Sequence, residues 1–291
     1  MDKILITGGA GFIGSHLFEA LSSKYNLIIL DNLQHGNKLN KDVDFIFGDI
    51  RDYDLVLKTS KNCKYIIHLA AFLGTDFVSD KNMLECMEIE FIGGMNVAKA
   101  AIKNNIEKII YTSTSGVYDN NFNVSPKSGY AAAKLNQEIY FNNLFIEHKI
   151  SVCNFRLFNI YGKNQDERFV IKKFLNQAMQ NMNITVYDEG LQTRDFTYID
   201  DLCECFRLTL EYFIGNDVLD LCFGKETTII DLAQTIIDLT NSGSTIEKYQ
   251  TPKHLEQFNL KRRCGSPEKM KKLLNFQAQT DLIAGLTKII S

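Results

Sequence analysis

Short unbroken apolar runs alternate along this chain with segments whose apolar residues recur every three or four positions. The run at residues 4–7 is followed by glycines at 8, 9, 11 and 14, then by Phe12, Ile13, Leu17 and Leu21 at helical spacing. Runs this short and this apolar predict parallel strands covered on both faces, and the periodic segments predict the helices that cross between them. Further strands are predicted at 27–30, 43–47, 64–69, 108–112 and 151–156, with helices from near Asp52 and over 82–103 and 130–147. Beyond residue 158 the rhythm changes: a helix at 170–182, a short strand at 184–187, a helix at 199–213 and a strand at 218–222. Thr228 with Asp231 predicts a capped helix running to residue 239, and Ser266-Pro267-Glu268 predicts a cap followed by proline at the first helical position. The fold expected is α/β, a Rossmann-type doubly wound parallel sheet with a smaller discontinuous C-terminal lobe. Residues 1–158, with a return segment at about 193–222, are assigned to the first lobe, and 159–192 with 223–291 to the second, a substrate-binding lobe. The cleft should open at the carboxyl ends of the strands.

The glycines give that cleft its first chemistry. Gly9-x-Gly11-x-x-Gly14, overlaid by Gly8-x-x-Gly11-x-x-Gly14, lies between the first strand and the first helix. Glycine there permits a tight turn, a close approach of backbone to a pyrophosphate and close packing of helix on strand, and the helix N-terminus presents unpaired N–H groups to phosphate. The second apolar run ends in Asp31, 20 residues after Gly11, where a carboxylate bonds the adenosine ribose hydroxyls. Asp31 repels a 2′-phosphate and no Arg or Lys follows before Lys38, so NAD is favoured over NADP.

Composition narrows the choice by exclusion. With 291 residues, 45% hydrophobic and 23% charged, the chain can bury a substantial core, and a net charge of −3 leaves no electrostatic footprint for nucleic acid. Lys261-Arg262-Arg263 and residues 269–272 read as solvated faces. No apolar run approaches the roughly 20 residues that cross a bilayer. The first strand begins by residue 3, which leaves no room for a signal peptide. Seven cysteines without a CxxC pair fit buried thiols in a reducing cytoplasm and indicate no metal site.

After the fifth predicted strand come Thr112-Ser113-Thr114 and then Tyr130-Ala-Ala-Ala-Lys134. Four residues apart on a helix, Tyr130 and Lys134 share a face. A phenol of pKa ~10 is a poor base at neutral pH, and a neighbouring ammonium and a positive nicotinamide ring both favour its phenolate. Tyr130 then takes a proton from a sugar hydroxyl as hydride leaves the same carbon. Lys134 also bonds the nicotinamide ribose, and Thr114 holds the reacting oxygen.

These motifs resemble the extended short-chain dehydrogenases/reductases of the NAD-dependent epimerase/dehydratase family, and within it the UDP-glucose/galactose 4-epimerases. The likeness runs from Ile4 to about Phe276 through the residue 7–14 loop, Asp31-Asn32, Asp49-Ile50, His68-Leu-Ala-Ala71, Thr112-Ser-Thr114 with Val117-Tyr118, Tyr130/Lys134, the stretch 155–162 and the stretch 192–201. The resemblance implies cofactor contacts at Gly8, Gly11 and Gly14, at Phe12 and Ile13 for the pyrophosphate, at Asp31 and Asn32 for the adenosine ribose, at Asp49 and Ile50 for the adenine, and at Ala70 and Ala71. It implies that Asn159 and Arg194 hold the diphosphate of a nucleotide sugar and that Val186 packs on its base. Arg suits that task because its fork pairs bidentately with phosphate oxygens. It also implies a homodimer built on helices 82–103 and 130–147, for which Met87, Phe91, Leu135 and Ile139 supply an apolar face, one that fits a monomer core equally well.

Four departures from the family pattern bear on function. Ser115-Gly116 stands where family dehydratases carry an Asp-Glu pair and decarboxylases often a Glu, which disfavours both chemistries. Glu256 stands where epimerases usually have a second diphosphate-binding Arg, with Arg262 and Arg263 as the neighbouring cations. Glu90 replaces an Asn common in the long helix, and Asp119 a common Gly. A 4-epimerase, a nucleotide-sugar dehydrogenase or ketoreductase, and a non-catalytic NAD-binding protein are the readings left, the last disfavoured because Tyr130, Lys134 and Thr114 are all present.

Overall fold

Odd and even positions of the strands feed different cores. Ile4 and Ile6, Ile29, Ile67, Ile110, Cys153 and Phe155 point to one face, and Leu5, Ile28, Leu30, Ile66, Ile109, Tyr111 and Val152 to the other. In the computed structural model, which describes residues 1–35, 43–72, 82–252 and 260–291, these strands are β1 (Lys3–Thr7), β2 (Asn26–Asp31), β3 (Asp44–Phe47), β4 (Tyr65–His68), β5 (Lys108–Thr114) and β6 (Ser151–Leu157). Four short strands follow, β7 (Ile160–Tyr161), β8 (Ile184–Tyr187), β9 (Thr193–Asp195) and β10 (Thr197–Tyr198), before β11 (Asn216–Leu221) rejoins the large sheet. Its seven strands run parallel in the order β11-β6-β5-β4-β1-β2-β3. The order reverses direction between β1 and β4, the point at which open α/β sheets bind ligands beyond the carboxyl ends of their strands.

Helices α1 (Phe12–Leu21) and α7 (Ile199–Tyr212) cover one face, and α2 (Tyr53–Thr59), α4 (Gly94–Lys103) and α5 (Gly129–His148) the other. The predicted helix at 82–103 is three pieces: α3 (Met83–Met87), a π-helical turn (Glu88–Gly93) and α4. The first core continues without a break into α6 (Val170–Met179), α8 (Ile229–Thr240), α9 (Glu268–Leu274) and α10 (Leu282–Ile290). Two more small sheets sit here, β9 with β12 (Glu226–Thr228) and β8 with β13 (Ile246–Tyr249). Residues 193–195 thus pair with β12, and it is α7 that returns the chain to the large sheet.

Local signals explain most boundaries. Thr228 Oγ1 accepts the Asp231 N–H at 3.1 Å, the cap expected for α8. Ser128 does the same for α5, accepting from Ala131 N at 3.1 Å. Helix α6 stops at Met179, short of the expected 182, because Asn181 adopts φ +53° and ties its side chain to Gly243 N. The cap expected at Ser266 does not form: Pro267 is itself the capping position, and the Ser266 N–H is drawn to Asp220 at the end of β11, 3.1 Å away. On the outer side of α3, the π-turn and α5, Met83, Leu84, Met87, Phe91, Ile92, Ile139 and Ile146 remain exposed.

A buried polar chain binds β5, β6, α5 and β11. Arg156 grips Glu138 with Nε and Nη2 at 3.0 and 2.7 Å, and donates from Nη1 to the Tyr118 hydroxyl at 2.8 Å. Tyr118 donates onward to Asp220 at 2.9 Å, and Ser113 donates to Glu138. Removing one member of a buried pair strands the other charge in a low dielectric. Glu138→Ala is therefore expected to lower the unfolding free energy by about 3–5 kcal/mol in urea titrations. A loss below about 1 kcal/mol, the size of a surface pair, contradicts this account.

Candidate active site

The site begins where the chain leaves β1. Gly8 turns with φ +70° and donates its N–H to the Leu30 carbonyl at 2.9 Å. A Cβ on Gly8 would stand 2.5 Å from the Ala70 nitrogen, and one on Gly14 would stand 2.4 Å from the Gly9 Cα. Turn, strand and helix thus touch backbone to backbone. Gly11 is the N-cap of α1 and brings no side chain to the first-turn N–H groups, which belong to Phe12, Ile13 and Gly14. A bare helix N-terminus at the floor of a backbone cradle fits a pyrophosphate.

Asp31 closes the cradle from β2. Its Oδ2 accepts the Ala10 N–H at 3.0 Å and its Oδ1 the Leu33 N–H at 2.7 Å, and each oxygen keeps a lone pair for a ribose hydroxyl. Asn32 donates to Asp49 at 3.2 Å. Against the effect of burial, the bidentate Arg51 guanidinium holds the Asp49 carboxyl below its ordinary value, and Arg51 reaches on to Glu88 at 3.1 Å. Ile50 is buried beneath Gly93, and Ala70 and Ala71 are half-buried at the exit of β4. Lys38 lies outside the described residues.

Under the cradle lies His68. Its Nδ1 is 2.6 Å from Thr7 Oγ1 and its Nε2 is 3.2 Å from the Gln137 amide nitrogen. An amide N–H must donate, so Nε2 accepts and Nδ1 carries the proton. Burial, reinforced by the charge of Lys134, pushes the imidazole pKa down to about 3.

Ser128 sets the start of α5, placing Tyr130 in its first turn and Lys134 one turn on. Lys134 is fully buried: Nζ donates to the Thr112 carbonyl at 3.1 Å, lies 3.1 Å from Glu90 Oε2, and faces the rings of Tyr111 and Tyr130 at 4.9 and 5.8 Å. Thr114 ends β5 and accepts the Gly116 N–H at 3.0 Å, capping the 3₁₀ turn Ser115–Val117. Glu90, marked in the sequence only as a departure from the family pattern, is a participant whose partner the sequence did not show. Its signal was its register: it falls on the buried side of the long helix with Cys86, Gly93, Gly94 and Val97.

The residues expected to meet a diphosphate come from the elements after β6. The Asn159 side-chain oxygen is enclosed with no hydrogen-bond partner among the described residues. Arg194, on β9, donates from Nη1 to the carbonyls of Thr193 and Leu260 at 2.7 and 2.9 Å. Val186 is wholly enclosed in the core beside Gly190 and presents no surface for a base to pack on. Arg262 is gripped by Glu226 through two hydrogen bonds, at 3.0 and 2.7 Å, and Glu256 lies outside the described residues. All seven cysteines are free thiols, and only Cys264 is more than marginally exposed. Among the described residues no helix is long and apolar enough to cross a membrane.

Comparison with known proteins bears on the whole chain. The sequence model of the NAD dependent epimerase/dehydratase family matches residues 4–219. A protein of Methanocaldococcus jannaschii described as "Putative UDP-glucose 4-epimerase" is 33% identical over 94% of this chain and 97% of its own. The UDP-glucose 4-epimerase of Thermotoga maritima, solved with UDP-glucose, superposes with a TM-score of 0.92 at 25% identity, covering 99% of this chain and 97% of that one. The UDP-glucose 4-epimerase of Thermus thermophilus, solved in complex with NAD, gives 0.88 at 25% identity over 99% and 97%. A dTDP-D-glucose 4,6-dehydratase and a UDP-N-acetyl-alpha-D-glucosaminuronate decarboxylase are relatives too, at 30% and 32% identity.

The neutral imidazole of His68 has a measurable consequence. Its folded pKa of about 3 lies below the unfolded value near 6.5, so between those limits only the unfolded chain takes the proton, and stability falls with pH by up to about 1.4 kcal/mol per unit. Asp195, whose carboxyl burial pushes up to about 6, works the other way over part of that range. Chemical denaturation of wild type and His68→Gln between pH 7 and pH 4 should show the steeper loss in wild type. Equal slopes would remove His68 from the explanation.

Proposed function

The chain belongs to the NAD-dependent epimerase/dehydratase family and its cofactor is NAD, and on that footing we propose that it is a nucleotide-sugar 4-epimerase with Tyr130 as its base. One observation carries the proposal: Lys134, facing the Tyr130 ring at 5.8 Å, bonds the Thr112 carbonyl of β5, and Thr114 at the end of that strand is followed by Ser115 and Gly116. Proton transfer at a hydroxyl is provided for, and the residues directly after Thr114 offer no carboxylate for water elimination. The UDP-glucose 4-epimerases among its relatives and structural neighbours support the same choice.

NAD supplies the acceptor, and later the donor, of a hydride at the sugar carbon. The protein does the rest. Thr114 holds the 4-oxygen. Tyr130 takes the 4-hydroxyl proton as the keto sugar forms and returns it after the sugar has turned. Lys134 bonds the nicotinamide ribose and favours the phenolate. Asn159, through its amide NH2, and Arg194 donate to the diphosphate. Gly8, Gly11 and Gly14 with Phe12 and Ile13 seat the pyrophosphate of NAD, Asp31 and Asn32 its adenosine ribose, Asp49 and Ile50 its adenine, and Ala70 and Ala71 line its pocket. Redox balance closes within each turnover. The apolar strip on α3, the π-turn and α5 is the face on which two copies pair, and the free thiols suit a reducing cytoplasm.

Purified protein supplied with UDP-glucose, UDP-galactose and their N-acetylamino counterparts is expected to interconvert a C4 pair without added cofactor and without net NADH. Tyr130→Phe should lower turnover by roughly 10²–10⁴-fold while keeping bound NAD. Turnover that survives Tyr130→Phe, or stoichiometric NADH accumulation, overturns the assignment. Light scattering should report twice the chain mass, and Ile139→Glu should halve it.

A further inference from the structure

The Glu90 side chain is fully buried, yet it brings an ionisable group into the site on a π-helical turn, a backbone irregularity frequent at functional positions. Its two oxygens face two donors. Oε1 accepts the Phe72 N–H at 2.7 Å, and Oε2 lies 3.1 Å from Lys134 Nζ. The Lys134 ammonium and the Phe72 N–H both favour the carboxylate over the neutral acid. Burial pushes the carboxyl above its ordinary range, and the ammonium and the Phe72 N–H pull it back.

We propose that Glu90 is a positioning residue for the base: its carboxylate balances the Lys134 ammonium inside the protein and so weakens the hold of that ammonium on the Tyr130 phenolate. The inference rests on the reading of Tyr130 as the proton-transferring group. Other described groups around the pair are neutral or already engaged. His68 from β4 is neutral, the Tyr111 hydroxyl from β5 is pushed well above 10 by burial, and the Cys86 thiol from α3 is pushed up to about 11. Glu138 from α5 is engaged by Arg156 and Ser113. Lys134 Nζ faces the Tyr130 ring at 5.8 Å, and Glu90 Oε2 lies 3.1 Å from that Nζ. The same carboxylate anchors the chain just after Ala70 and Ala71, so the cofactor wall and the base share one support.

The test reads Tyr130 directly. Tyrosinate absorbance of the NAD-bound protein is titrated with pH, and the Tyr130→Phe titration is subtracted. Removing the carboxylate charge in Glu90→Gln should lower the Tyr130 midpoint by about one pH unit, the size expected for a unit charge at this range in a protein interior. Glu90→Ala deletes the same charge and serves if the glutamine variant does not fold. Glu90→Asp should restore the wild-type midpoint to within a few tenths of a unit. The acidic limb of kcat/KM should move with the midpoint. A midpoint that is unchanged or raised in a folded, NAD-binding Glu90→Gln or Glu90→Ala protein overturns the proposal, as a purely structural role would lower activity without moving it. Because the titration needs no sugar, a normal shift without epimerisation counts against the epimerase reading alone.

Discussion

Nothing larger than a hydrogen atom fits on the Cα of Gly8. The turn after β1 rests on the backbone at Ala70, and that contact sets how far the carboxyl ends of β1 and β4 stand apart. With the turn seated there, Ala10 reaches the Asp31 carboxylate and α1 starts close enough for Gly14 to lie on Gly9. Beneath it, Thr7 and His68 bridge the same two strands by side chain. A bulkier residue at 8 would part the strands, tilt α1 and open the phosphate cradle, so one steric condition governs both the sheet and its ligand.

The end of β5 is fixed from three directions by three consecutive residues. The Thr112 carbonyl takes Lys134, the Ser113 hydroxyl takes Glu138, and the Thr114 hydroxyl caps the turn that follows. Two buried ion pairs, Lys134 with Glu90 and Arg156 with Glu138, flank the strand, and α5 supplies one partner to each. Such pairs contribute little net stability, because desolvation offsets their attraction. What they supply is placement: α5 meets β5 in one register, and Tyr130 therefore stands beside Thr114's strand.

The sheet was legible because each strand is a short apolar run between turn signals, and the strand at 184–187 emerges with the limits its pattern implied. The glycine turn, Asp31 and the Tyr130–Lys134 spacing were legible too, since each is a local pattern with its own mechanism. Partners contributed from distant sequence were not. Nothing near Glu90 announces that it will face Lys134, 44 residues on, and the π-turn that aims it leaves no mark in helical periodicity. Ser266 looked like a cap because local rules see only its neighbours, whereas Asp220 claims its N–H from another element. Val186 satisfied a strand pattern, but its enclosure depends on Gly190 and on helices that pattern does not reveal.

The position of β11 has a consequence for how the molecule is made. The strand that borders β6 comes from residues 216–221, after the small strands and α7 have been laid down. Until a ribosome has delivered that segment, the growing chain carries β6 as a bare margin with its N–H and C=O groups unmatched, ready to recruit any passing strand. Synthesis therefore passes through a vulnerable interval about sixty residues long, and protection of that margin during translation is a demand the finished protein no longer displays.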